Sequence, residues 1–155
     1  MAFTISTDKI AIQSILRADP YLTEYLEFDP KEIYRVKATD DILGVTNSKS
    51  VLKQQIFIYN TDPEPTINPI IYGIIYEVDV SVPRAKDGTA DLAIEQIMAL
   101  LHGVEISKVH RIEIIDPPTV LSSETSLYQV GVRFVVYETV YNEIKKIPNL
   151  QETKG

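Results

Sequence analysis

One alternating apolar run between two prolines constrains the fold of this chain most strongly. In PIIYGIIYEVDVSVPR, residues 69–84, one parity carries Ile70, Tyr72, Ile74, Tyr76, Val78, Val80 and Val82. A period of two predicts a long β-strand with that face against a core. The other parity begins with Ile71, Gly73 and Ile75 and ends with Glu77, Asp79 and Ser81. We therefore expect its charged half to face solvent and its apolar half to need a second covering surface.

That apolar half, residues 70–76, has two candidate partners. The first is another subunit, which the strand would contact or whose sheet it would continue. The second is the N-terminal part of this chain, whose predicted amphipathic helices need a surface to pack on. A membrane helix is not expected, because Glu77 and Asp79 interrupt the run well before about 20 apolar residues accumulate.

Composition predicts one domain with one core. A chain of 155 residues with 45% hydrophobic residues is too short for two comfortable domains. We expect a single domain over 1–148 and a flexible tail over 149–155. Neither a signal peptide nor a membrane span is predicted. The absence of cysteine excludes disulfides and thiolate chemistry, and the net charge of −7 argues against a surface that grips phosphates.

The pattern along the chain predicts helices, two strands, one helix and two strands. Residues 1–36 are interpreted as helical, with Asp19-Pro20 and Asp29-Pro30 opening short helices. The main helix is predicted over 89–102 and the strands and their connections over 54–140. The prediction is therefore an α+β fold, with a mainly antiparallel four-stranded sheet and one long amphipathic helix on a face. Long loops are predicted at 37–53, 61–68 and 116–126.

Few residues in the sequence suggest catalysis or metal binding. His102 and His110 lack a second ligand at a metal-binding spacing, so structural roles are favoured for both. Glu77 and Asp79 share a strand face and could form an acid/base or metal pair, but cross-strand pairing with Arg111 or Arg133 is the favoured interpretation. No catalytic motif and no glycine-rich phosphate loop is present in the sequence. We expect no enzyme activity, no cofactor and no metal.

The order, the lengths and the alternating residue pattern of these elements resemble those of a known protein family. The helical N-terminal portion, the long strand NPIIYGIIYEVDVSVPR, the helix ADLAIEQIMALLHG and the strand LYQVGVRFVVYETVY resemble the tail terminator (tail completion) proteins of long-tailed bacteriophages. The resemblance covers roughly residues 54–140. Members of that family are small α+β proteins that form a hexameric ring, cap the tail tube and join it to the head connector.

The resemblance implies a structural virion protein at the head-proximal end of a tail, assembled in the host cytoplasm. Its partners would be itself, the tail tube protein and the head connector protein, while DNA passes through the lumen without specific binding. Contacts between subunits would come from Ile70, Ile71, Tyr72, Ile74, Ile75 and Tyr76. Contacts with axial partners would come from Asp40, Asp41, Asn47, Glu64, Thr66, Ser122 and Glu124.

Three alternatives stay open. The chain could be another head-tail connector or tail-associated component, because the N-terminal helical portion departs from the family pattern. A second alternative is a cytoplasmic binding module that dimerises through a sheet edge. The third, an enzyme using Glu77, Asp79 and His110, ranks last because it rests on no motif.

Overall fold

One sheet and the helices that pack on it form the described part of the chain. The computed structural model describes residues 5–43, 53–61, 64–65, 71–106, 111–123 and 126–139. The α-helices are α1 (Ile5–Ala18), α2 (Asp40–Leu43) and α3 (Asp87–Leu101). The strands are β1 (Ile33–Tyr34), β2 (Gln55–Asn60), β3 (Glu64–Pro65), β4 (Ile71–Pro83), β5 (Arg111–Ser123) and β6 (Leu127–Thr139). None of the described helices has the length and apolar character that crossing a membrane requires.

The sheet is larger than predicted and mixed in direction. Its strand order is β1-β2-β4-β6-β5, and β3 pairs with β4 beyond the end of β2. The β1–β2 pair is parallel and the other pairs are antiparallel. The α+β class is therefore confirmed, whereas the prediction of four strands omitted β1 and β3.

The helices α1 and α3 cover one face of this sheet. Ile12 and Leu16 of α1 are buried in the same core as Ile94, Ile97 and Leu101 of α3. The strand β4 contributes the predicted parity to this core, namely Ile74, Tyr76, Val78, Val80 and Val82. Burial of each large apolar side chain contributes about 1.5–3 kcal/mol, so this face supplies most of the driving force for folding.

The C-terminal end of α3 follows its sequence signals. Gly103 adopts φ +78°, the left-handed conformation that glycine favours just after a helix. His102 precedes it, and its Nδ1 accepts a hydrogen bond from the backbone N–H of Ile114 at 3.1 Å. The histidine therefore links the helix end to β5, in agreement with the structural role predicted for it.

The N-terminal third is less helical than predicted. The carboxylate of Asp19 accepts from Leu22 N–H at 3.0 Å, ahead of a π-helical turn at Tyr21–Tyr25. Asp29 accepts from Lys31 N–H at 2.9 Å and opens a 3₁₀ turn at Pro30–Glu32. The predicted helix over PKEIYRV ends there. Ile33 is fully buried and pairs in parallel with β2, because a β-branched residue packs better on the sheet than in another helical turn.

The predicted loop 116–126 is largely strand. The strand β5 extends through Ser123 and pairs with β6 across three register irregularities between Ile114 and Ser122. It includes Pro117 and Pro118, which lack the N–H that an interior strand must donate. Because β5 is the last strand in the order, its prolines occupy an edge where bulged pairing is tolerated.

The opposite face of the sheet is partly covered as well. Segment 34–43 packs over Phe57 and Leu127, with Leu43 buried among them. The predicted loop 37–53 therefore includes the helical turn α2, and its residues 44–52 lie outside the described part of the chain. The proposed tail 149–155 also lies outside it, so the division into a single domain over 1–148 and a tail stays a prediction.

Candidate functional site

Two of the six residues predicted to contact a neighbouring subunit are buried in the core of this chain. Ile74 is 2% exposed and Tyr76 is fully buried, within the core that α1 covers. The Tyr76 hydroxyl donates to Asp8 of α1 at 2.8 Å. This chain's own N-terminal helix covers these two side chains, and their contact with another subunit stays a prediction.

The remaining predicted contact residues of this strand keep their status as predictions. Ile75 lies on the other face of β4 and is half-buried. Ile71 and Tyr72 belong to the backbone of β4, and Ile70 lies outside the described residues. Among the described side chains at this end of β4, that of Ile75 is the one through which a contact between subunits is proposed.

The predicted axial contact residues lie on several elements. Asp40 and Asp41 are in α2, Glu64 is in β3, and the half-buried Ser122 is in β5. Asn47, Thr66 and Glu124 lie outside the described residues, as does His110. Their contact with a tail tube or connector protein stays a prediction.

The face of β4 that bears Glu77, Asp79 and Ser81 is buried, contrary to the prediction that it faces solvent. Glu77 is 6% exposed, Asp79 3% and Ser81 0%. Burying carboxyl groups costs free energy unless they gain hydrogen bonds or a neutralising charge. The neighbouring strands provide both kinds of partner.

Three adjacent strands bring a tyrosine, two carboxyl groups and an arginine together. The Tyr59 Oη lies 2.7 Å from Glu77 Oε2 and 2.8 Å from Asp79 Oδ2. On the other side of β4, Arg133 Nε donates to Glu77 Oε1 at 3.0 Å. We call these four residues the carboxyl cluster. It contains the predicted Glu77–Arg133 pair, whereas Arg111 pairs with Glu105 instead.

The distances favour an additional proton in this cluster. A tyrosine hydroxyl has one proton, yet Tyr59 is within hydrogen-bond distance of two carboxyl groups. A proton on one of these carboxyl groups satisfies both contacts. Burial, the hydrogen bond to Glu77 and the charge of Glu77 raise the pKa of Asp79 to about 8. At neutral pH, Asp79 thus carries the proton and Glu77 the negative charge.

The pKa shifts of Glu77 and Tyr59 agree with this assignment of the proton to Asp79. Burial alone would raise the pKa of Glu77, but hydrogen bonds from Asp79, Tyr59 and Arg133 outweigh it and lower that pKa. Burial and the two carboxyl groups raise the pKa of Tyr59 far above its ordinary value of 10. The cluster therefore contains one carboxylate and one guanidinium at neutral pH, which form an ion pair across β4 and β6.

The carboxyl cluster adjoins a cavity of about 280 Å³ under β5. Its lining residues are Glu77, Asp116, Pro117, Thr119, Leu121, Gly131 and Arg133. Asp79 Oδ1 is buried without a hydrogen-bond partner in the described part of the chain. It lies against Gly131, where an added Cβ would be 2.3 Å from Oδ1. The glycine thus permits the carboxyl group to pack against β6.

The carboxyl cluster connects three strands by hydrogen bonds and holds one proton, on Asp79, at neutral pH. Within the described residues, no set of three or more acidic or histidine side chains could hold a metal ion.

The sequence analysis had singled out Glu77, Asp79 and Arg133, but it missed Tyr59 and Gly131. Their signals were a tyrosine at the exposed end of β2 and an isolated glycine within a strand pattern, which indicates close approach of another group.

Comparisons with known proteins show a shared fold. No family model matches the sequence, and no curated protein matches it significantly. Among solved structures, a chain from the virion of a native gene transfer agent (GTA) particle is similar, with a TM-score of 0.62 and 12% sequence identity. The likeness covers 89% of this chain and 99% of that chain. At this identity, what the two chains have in common is the arrangement of their helices and strands.

Proposed function

We propose that this chain is a structural component of a phage-like virion. The observation that carries the proposal is the likeness to a chain of the gene transfer agent virion, which spans 99% of that chain. A match of this extent relates two whole folds and not only a common supersecondary motif. Because fold alone does not determine function, the proposal requires a direct test.

More specifically, we propose that the chain is a tail terminator that forms a hexameric ring between the tail tube and the head connector. The element order over 54–140 supports this role through the family resemblance. The edge strand β5 supports it physically, because Val120 is 52% exposed and Leu121 46% exposed there. Contacts that close a ring require two different complementary patches, and an exposed strand edge is suited to be one of them.

The charge of the chain and the carboxyl cluster fit a structural role. A ring around passing DNA must not hold phosphates tightly, and a net charge of −7 satisfies this requirement. The only acid pair that the sequence suggested for catalysis is occupied by Tyr59 and Arg133, which gives it a role in holding β2, β4 and β6 together. We therefore favour a non-enzymatic function.

The virion assignment predicts that the chain is present in purified particles. Particles from the strain that encodes it should be purified on a density gradient and quantified by mass spectrometry with isotope-labelled peptides. A ring at one end of the tail predicts about six copies per particle. An abundant ribosomal protein is the control for contamination from the lysate. Recovery of the chain from the lysate but not from particles would contradict the proposal.

A further inference from the structure

Four basic residues converge at the sheet edge formed by β1. Lys9 and Arg17 of α1, together with Lys31 and Arg35 on either side of β1, line a cavity of about 400 Å³. We call this site the basic pocket. Its lining also includes Ile33 and Val36, of which Val36 is 47% exposed. The pocket contains no acidic residue in its lining.

Among the described residues, no carboxylate forms an ion pair with the cations of the basic pocket. In the described part of the structure, Lys53, Arg84, Arg111 and Arg133 each form an ion pair with a carboxylate. None of the four cations of the basic pocket has such a partner among the described residues. This is notable in a chain with 22 acidic and 15 basic residues. Like charges around a concave site create a positive potential that attracts an anion.

Hydrogen bonds between α1 and β1 hold the walls of the pocket in place. The Ile33 carbonyl accepts from Gln13 Nε2 at 2.7 Å and from Arg17 Nη2 at 3.0 Å. Glu32 lies outside the lining, and its Oε1 accepts from the lining residue Tyr34 at 2.8 Å and from Gln55 Nε2 at 2.9 Å. A site built on tertiary contacts loses little conformational entropy on binding.

We propose that the basic pocket binds an acidic segment of a different protein. Carboxylates would meet the four cations, and apolar side chains of the same segment would contact Val36. A nucleic acid fits less well, because phosphate recognition uses an extended basic stripe and a net charge of −7 repels a long polyanion. This proposal concerns a surface for which the virion assignment makes no statement, so each can fail without the other.

The test measures binding of a short fluorescent peptide with alternating glutamate and valine by anisotropy at low salt. The double variant Lys31→Ala/Arg35→Ala removes two exposed cations and leaves the Arg17–Ile33 hydrogen bond intact. Loss of two charge-assisted contacts predicts binding weakened by about tenfold or more. The matched control is Lys53→Ala/Lys86→Ala, which makes the same change in charge at a cavity that includes Glu27, Asp29 and Glu32. The control is expected to weaken binding by less than about twofold.

Three results would overturn the proposal. They are no binding of the peptide by the unmodified chain, an equal effect of the two double variants, and tighter binding of a DNA duplex than of the peptide. Thermal unfolding verifies that both variants fold. Light scattering at low salt then tests whether the acidic segment belongs to a different protein. Self-association that the Lys31→Ala/Arg35→Ala variant loses would overturn that assignment, whereas unchanged self-association with impaired peptide binding supports it.

Discussion

Replacement of Asp79 by asparagine is expected to stabilise the fold at alkaline pH and to remove much of its loss of stability between about pH 4 and 8. In the folded chain, the pKa of Asp79 is raised from 3.8 to about 8. The unfolded chain therefore releases this proton at lower pH than the folded chain. The contribution of Asp79 to stability is complete below about pH 4, declines as pH rises, and is lost above about pH 8.

Asparagine reproduces the protonated form of this side chain without titrating. Its amide nitrogen can donate within the carboxyl cluster as the protonated carboxyl does. Because one pKa unit corresponds to about 1.4 kcal/mol, and the cluster shares its proton with Glu77, we expect a gain of about 2–4 kcal/mol at pH 9. Urea unfolding at pH 5, 7 and 9 measures this gain. Asp116→Asn removes an exposed carboxylate beside the same cavity and is expected to change stability by less than about 0.5 kcal/mol.

An Asp79→Asn variant that is less stable than the parent by the same amount at each pH would contradict the account. That result would mean that Asp79 is ionised in the folded chain at neutral pH. The short Tyr59–Asp79 contact would then need a different explanation. The Asp116→Asn variant separates this outcome from a general effect of removing one negative charge.

Replacement of Gly131 by alanine is expected to destabilise the fold by about 3 kcal/mol, since overpacking typically costs 1–3 kcal/mol and occasionally more. The new Cβ would be 2.3 Å from Asp79 Oδ1 and 2.9 Å from Leu121 Cδ1. Gly131 lies in β6, which pairs with β4 on one side and β5 on the other. The backbone therefore has little room to move away from the contact. Urea unfolding gives the change in free energy.

Two further variants identify the cause of that destabilisation. Gly88→Ala adds the same atom in the first turn of α3, where nothing lies within 4 Å. It is expected to be neutral or to stabilise by up to about 1 kcal/mol, because alanine is the better helix former. In an Asp79→Ala background, Gly131→Ala should cost at least about 1 kcal/mol less than in the parent. Equal costs in both backgrounds would contradict the proposed contact with Asp79.

The parts of the fold that repeat a simple period were predictable from the sequence. The alternation in β4 identified its core face. The apolar stripe of α3 predicted a buried face of Ala90, Ala93, Ile94, Ile97, Leu100 and Leu101, of which all but the partly buried Leu100 are buried. Strand β1 was missed because two residues are too few to establish a period. The extension of β5 was missed because Pro117 and Pro118 are local signals for a loop, and their acceptance depends on the position of β5 at the sheet edge.

The carboxyl cluster and the basic pocket could not be predicted from the sequence, because each depends on residues that only the tertiary structure brings together. Charged residues in an alternating strand usually face solvent, and Glu77 and Asp79 were assigned there on that basis. Their burial depends on a hydroxyl from β2 and a guanidinium from β6, which only strand order brings together. The basic pocket has the same origin, because its residues are separated in sequence and meet where α1 crosses β1.

The central claim, a ring-forming virion protein, is tested most directly by light scattering of the chain over a wide concentration series, with electron microscopy of the most concentrated sample. The proposal predicts a mass that rises with concentration toward a hexamer of the 17.5 kDa chain, and closed rings in the images. Purified tail tubes, added to the same sample, should each be capped at one end. A dimer of constant mass at every concentration that leaves the tubes uncapped would contradict the proposal.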